Sequence, residues 1–166
     1  MITPTRLDAF LKVMEQQSPN EWSQKRDPSG VFWYVQYGAS YPPYQFFVEF
    51  NEEMVYVQYV FPEFRVNPSC YLALYRVLLR LNEELSLVKF GLTALENLVL
   101  LGEIPGSMFS LDSFQNLLRL MVHSLDQLYW EIGIVAESPA LAPFLERRPT
   151  DRVSAPVVKK IASTEL

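Results

Sequence analysis

Apolar and polar positions follow two rhythms along this chain, and the changes of rhythm divide it. From Thr3 to about Gln17, the residues Leu7, Phe10, Leu11 and Met14 recur at three- and four-residue spacing, the stripe of a helix buried along one side. Thr3-Pro4 suits its start, an N-cap hydroxyl followed by proline at the first helical position. Ser18-Pro19-Asn20 ends it. Trp22 then falls in a short connector that closes with the turn signal Asp27-Pro28-Ser29-Gly30.

Between residues 31 and 61 the period drops to two. The runs "VFWYVQY" (31–37), "YQFFVEF" (44–50) and "MVYVQYVF" (54–61) are rich in the branched and aromatic side chains that fit a pleated surface. Their links, "GASYPP" and "NEE", are short enough for antiparallel hairpins, so the segment reads as a three-stranded meander. Helical spacing returns at Asn67-Pro68 and continues to about Glu84, with Tyr71, Leu74, Tyr75, Leu78, Leu81 and Leu85 as the buried stripe. "LVKFGL" (87–92) and "LVLLGEI" (98–104) form a second hairpin closed by "TALEN". Ser110 caps the last helix, whose stripe of Phe114, Leu117, Leu118, Met121, Val122, Leu125, Leu128, Tyr129 and Ile132 ends at Gly133.

This order, α-β-β-β-α-β-β-α, predicts an α+β domain whose antiparallel sheet is covered by helices on one face. The domain is expected over residues 1–136. Residues 137–166 form a mildly basic tail broken by Pro139, Pro143, Pro149 and Pro156, with one turn of helix at "ALAPFLERR".

Strand alternation separates two sheet faces. One holds Val31, Trp33, Val35 and Tyr37, then Tyr44, Phe46, Val48 and Phe50, then Val55, Val57, Tyr59 and Phe61. It is wholly apolar or aromatic and belongs under the helices. The opposite face holds Phe32, Tyr34 and Gln36; Gln45, Phe47 and Glu49; Met54, Tyr56, Gln58 and Val60. That mixture is too apolar for a solvated face and too polar for a second core. It matches the aromatic- and Met-rich, charge-poor composition of an interface. Phe32, Tyr34, Phe47, Tyr56 and Gln58 are the expected contact residues, whether the face is covered within the chain, by a second copy or by another protein.

Composition narrows the chemistry. The chain has 166 residues, enough for one domain with a sizeable core, and a net charge of −5, which opposes general affinity for nucleic-acid backbones. The basic tail residues lack interleaved aromatics. One cysteine, Cys70, excludes an intrachain disulfide and a cysteine-rich zinc site. The N-terminal segment is not of signal-peptide type and no apolar run is long enough to span a bilayer, so a cytoplasmic protein is expected.

His123 is the single histidine, beside Asp126 on a helix edge. Cys70 lies in the first turn of a helix, where a thiol can be activated. Both read better as a solvated edge and a small core filler. Glu52-Glu53 and Glu83-Glu84 sit at a turn and a helix end. No phosphate-cradling glycine loop or nucleophile elbow is present, and neither a metal nor an organic cofactor is implied.

The second half of the chain carries a resemblance. "LYRVLLRLNEELSLVKFGL" has a helix ending in an Asn-containing turn before a strand, "NLVLLGEIPG" a returning strand, and "SLDSFQNLLRLMVHSLDQLYWEI" a last helix with an aromatic near its end. In these features the chain resembles the YbjN family, bacterial "sensory transduction regulator" proteins with a type III secretion chaperone-like fold. The resemblance implies a non-enzymatic, chaperone-like or regulatory module that binds a partner protein on an apolar surface and forms a homodimer. It supplies no active site. A small-molecule binder or enzyme with a pocket near Cys70 or His123, and a structural subunit of a larger complex, are the alternative readings.

Overall fold

The computed structural model describes residues 2–38, 43–61, 66–93, 95 and 97–141. Helix α1 spans Pro4–Gln17, with Thr3 Oγ1 accepting from the Arg6 amide at its N-cap. Four strands follow: β1 (Trp22–Arg26), β2 (Phe32–Tyr37), β3 (Tyr44–Phe50) and β4 (Met54–Val60). A 3₁₀ turn over Pro68–Cys70 leads into α2 (Tyr71–Glu84). Then come β5 (Val88–Leu92), β6 (Leu98–Pro105) and α3 (Leu111–Glu137). Of the tail expected over 137–166, Glu137 is the last residue of α3 and 138–141 follow it; the remainder, with most of the expected helical turn, lies outside the described residues.

All pairings are antiparallel and give one six-stranded sheet in the order β1-β2-β3-β4-β6-β5. The α+β class and the one-sided helical cover follow the sequence expectation. The strand count does not: the connector around Trp22 is an extra strand. "WSQKR" has little strand propensity of its own, and it is held by pairing with β2 and by two anchored side chains. Trp22 is buried with its ring 4.7 Å from that of Tyr37. The Arg26 guanidinium lies 4.9 Å from the Trp33 ring centre, bonds the Gly30 carbonyl at 3.1 Å and stands 3.6 Å from the Asp8 carboxylate. Asp8 also accepts from the Trp33 indole N–H at 2.6 Å, which fixes α1 over the β2 end of the sheet.

The helices bury the predicted apolar face. Trp33, Val35, Phe46, Val48, Val55, Val57 and Tyr59 join Leu100, Ile104, Val88 and Phe90 in one core with the helix stripes. Two expected members depart from it. Val31 precedes β2 and is exposed, and on α2 Val77 takes the buried place expected of Tyr75, which is at the surface. Helix α3 also runs four residues past Gly133. A helical glycine costs about 1 kcal/mol relative to alanine, and complete burial of Val135 and Ala136 offsets it. The Ala136 carbonyl accepts from the Asn67 amide at 2.8 Å, tying this end of α3 to the start of α2.

Two local contacts set the geometry of the second hairpin. At Gly102, a Cβ would stand 2.7 Å from Cδ1 of the buried Leu117, so α3 approaches β6 only because no side chain is there. At the end of α2, the Asn82 side chain acts as a piece of strand. Its Nδ2 donates to the Phe90 carbonyl at 2.9 Å and its Oδ1 accepts from the Phe90 amide at 2.7 Å. Lys89 Nζ donates to the Asn82 and Leu85 carbonyls, capping the helix end.

Gly102→Val should destabilise the protein by about 1–3 kcal/mol through overpacking against Leu117, read as a lower urea midpoint. Asn82→Ala should cost about 1–2 kcal/mol through its two lost bonds. Asn82→Asp keeps the acceptor but turns a carboxylate oxygen on the Phe90 carbonyl, so it should cost at least as much as Asn82→Ala in the same measurement.

Candidate protein-binding face

Register places every expected contact residue on one surface. Tyr34 pairs with Phe47, Phe47 with Gln58, Phe32 with Glu49 and Glu49 with Tyr56. Strand alternation turns all of these away from the helices. The row through Tyr34, Phe47 and Gln58 continues to Lys25 on one side and to Leu101 and Lys89 on the other, so it crosses all six strands.

Within the face, Phe32, Tyr34 and Phe47 form an aromatic triangle. Ring centroids are 5.1 Å apart for Phe32–Tyr34, 5.3 Å for Tyr34–Phe47 and 6.3 Å for Phe32–Phe47, distances at which tilted aromatic pairs attract. The three rings shield one another and remain half-buried. All four outward residues of β4, Met54, Tyr56, Gln58 and Val60, are uncharged and half-buried. The Tyr56 hydroxyl accepts from Asn51 Nδ2 at 3.4 Å. Glu49 and Glu103 flank Tyr56 in register. Beside the triangle, an open depression of about 480 Å³ is lined by residues that include Ser23, Lys25, Tyr34, Gln36 and Gln45.

Sequence reasoning found the residues of β2, β3 and β4 and missed those of β5 and β6. Val99, Leu101 and Glu103 lie on this face by register with Val60, Gln58 and Tyr56. "LVLLGEI" is a near-continuous apolar run, so alternation could not assign its sides. Val99 is buried without joining the main core, and Leu101 is exposed. Lys25 was missed because β1 itself was.

The candidate chemical residues lie elsewhere. Cys70 has no solvent exposure and packs in the core at the end of the 3₁₀ turn. His123 is exposed on α3. Asp126 accepts from the Tyr44 hydroxyl at 2.9 Å, a structural link between α3 and β3. Glu52 and Glu53 are exposed in the β3–β4 turn, where Asn51 Oδ1 accepts from the Glu53 and Met54 amides. No cluster of potential metal ligands occurs among the described residues.

A model of the YbjN family, described as "putative bacterial sensory transduction regulator", matches residues 3–133. That span runs from the N-cap of α1 to Gly133 of α3. The chain belongs to the YbjN family. No curated protein matches it. In this YbjN protein, the Asn-containing turn that carried the resemblance has a physical role: Asn82 closes the outer edge of β5. No helix among the described residues is long and apolar enough to cross a membrane.

One titration reports on the opposite side of β2. Burial, and then the carboxylates of Glu21 and Asp126, hold the Tyr37 phenol above its ordinary value of 10.0. The neutral phenol is therefore favoured by folding. Its contribution is complete below about pH 10 and is lost as pH rises through the folded-state value. Unfolding free energy measured from pH 9 upward should fall less steeply for Tyr37→Phe than for the wild type.

Proposed function

We propose that this YbjN protein is a non-enzymatic binding module, regulatory or chaperone-like, that takes a partner protein on the outer face of its sheet. It acts as a homodimer in the cytoplasm. The observation that carries this reading is the aromatic triangle of Phe32, Tyr34 and Phe47, continuous with the uncharged outer row of β4. Among the described residues no helix lies on that face, whereas the opposite face is fully packed.

Binding works by displacing water from half-buried aromatic surface. Such surface is already partly ordered by its own ring contacts, so little side-chain freedom is lost on association. Gln36, Gln45 and Gln58 offer donors and acceptors that suit the backbone of an extended segment, while the rings supply the apolar area. Membership of a family of sensory transduction regulators supports a role exercised through another protein.

The test is site-specific photocrosslinking in cells with a benzoylphenylalanine at position 34 or 56, against the exposed Trp130 position on α3 as the control. A discrete protein adduct from the sheet positions and none from α3 is the expected result. Adducts from α3 alone would place the binding surface on the helices and overturn the reading. Tyr34→Ser with Tyr56→Ser should weaken binding of the crosslinked partner at least tenfold, about 1.4 kcal/mol, with the melting curve retained. His123→Ala should leave that binding unchanged.

A further inference from the structure

Beyond the described residues the sequence continues as 142–166, and this segment is charged oppositely to the rest. It carries Arg147, Arg148, Arg152, Lys159 and Lys160 against Glu146, Asp151 and Glu165. That surplus of two positive charges sits in a chain of net charge −5, so residues 1–141 carry −7. All five cations, and two of the three carboxylates, fall within 144–160. Part of the opposing charge borders the outer face of the sheet. Glu49 and Glu103 flank Tyr56 in register, and Glu52 and Glu53 stand in the β3–β4 turn at the same end of the strands. These carboxylates are exposed, and none has an ion pair among the described residues.

The end of α3 delivers the segment to the opposite end of the strands. Tyr129 stacks on Phe61, which follows β4, at 5.6 Å, and its ring lies 6.4 Å from that of Tyr44, which opens β3. The chain therefore leaves α3 beside the end of the sheet where β3 starts and β4 finishes. From there the outer face presents Val60, then Gln58 and Leu101, then Glu49, Tyr56 and Glu103. The segment has the matching order: Phe144 and Leu145 come first, and Arg147, Arg148 and Arg152 follow. Length fits as well. Rounding the end of the sheet takes about 10 Å, the spacing of packed layers, and the step from Val60 to Tyr56 adds about 13 Å. From Leu141 to Arg148 an extended chain reaches about 23 Å, and Arg152 lies further on.

We infer that segment 144–160 of the same chain occupies the outer face when no partner is bound. Phe144 and Leu145 cover Val60 and Leu101. The guanidinium groups of Arg147, Arg148 and Arg152 stand between Glu49 and Glu103 over the Tyr56 ring, and Lys159 and Lys160 lie by Glu52 and Glu53. A guanidinium suits the Tyr56 position because it pairs with carboxylates and stacks on an aromatic face. Exposed ion pairs are individually weak. The tether offsets this by holding the segment at an effective concentration on the order of millimolar. A partner must then displace the segment, so the chain regulates access to its own binding face. The inference rests on the binding face in the proposed function and gives that face a competitor.

The experiment uses the purified full chain with benzoylphenylalanine at position 56, photolysed without partner and digested for mass spectrometry. The expected product is an adduct within one chain, joining position 56 to a peptide from 144–160. Mixing with an isotope-labelled copy should give no mixed-isotope adduct. Arg147→Glu with Arg148→Glu and Arg152→Glu should lower the adduct about fivefold with the melting curve retained. Adding Glu49→Arg and Glu103→Arg to that chain should restore it. In cells, the triple arginine variant should raise the partner adduct from position 34 about threefold, because more of the protein has its face free.

Adducts to 144–160 from position 130 on α3, with none from position 56, would place the segment on the helices and overturn the inference. Mixed-isotope adducts would overturn it by placing the segment on a second copy. An adduct unmoved by the three arginine substitutions overturns the charge pairing that selects this occupant. Absence of any adduct from position 56 to the segment overturns the inference whether or not position 34 captures a partner in cells. Partner capture is read separately and decides the proposed function alone.

Discussion

The architecture depends on how closely α3 lies on the sheet. Leu117 occupies the space where a side chain at Gly102 would be. Gly102 is paired with Val57 on one side and Val88 on the other, so the contact lies over the joint between the meander and the second hairpin. Holding a 27-residue helix at that depth lets its apolar stripe seal both halves of the sheet at once. The segment from α2 through β6 is the means of bringing Gly102 there.

Once one face is sealed, no helix among the described residues lies on the other. A one-sided α+β sheet of six strands presents a broad second surface, and composition decides what that surface does. Here its centre is Phe32, Tyr34, Phe47, Tyr56 and Gln58; among the described strand residues the charges on this face are Lys25 and Lys89 at the rim and Glu49 and Glu103 on either side of Tyr56. The rings pack on one another and so restrain one another. A sheet with such a face must also manage its edges, since exposed strands invite pairing. The chain does so at β5 with the Asn82 side chain, whereas the backbone groups of Gln24 in β1 have no partner among the described residues.

Several nucleophilic and ionisable groups take part in packing and in links between elements. Cys70 fills core space where the 3₁₀ turn meets α2, and Asp126 ties the Tyr44 hydroxyl to α3. Asp8 and Arg26 hold α1 and β1 to the Trp33 indole. These polar contacts bind elements to one another at the margins of the core, where half-burial strengthens them without the full cost of desolvation.

By itself the sequence determined the three helices, five of the six strands and the two-faced character of the meander. Those features are local: side-chain spacing of two or 3.6, capping residues at Thr3 and Ser110, and prolines and glycines at the breaks. It also marked the five outer-face residues, because alternation of aromatic and polar positions survives without knowledge of neighbours. Tertiary structure decided the rest. β1 forms because β2 offers it a ladder and Trp33 anchors its Arg26, neither of which "WSQKR" encodes. Val99 and Leu101 reach the outer face because β6 pairs with β4, and a run of consecutive apolar residues carries no sign of which side it turns to whom. Helix α3 outlasts Gly133 because burial of Val135 and Ala136 outweighs a local propensity. In each case a long-range contact exceeded a short-range preference, and only a folded chain has long-range contacts.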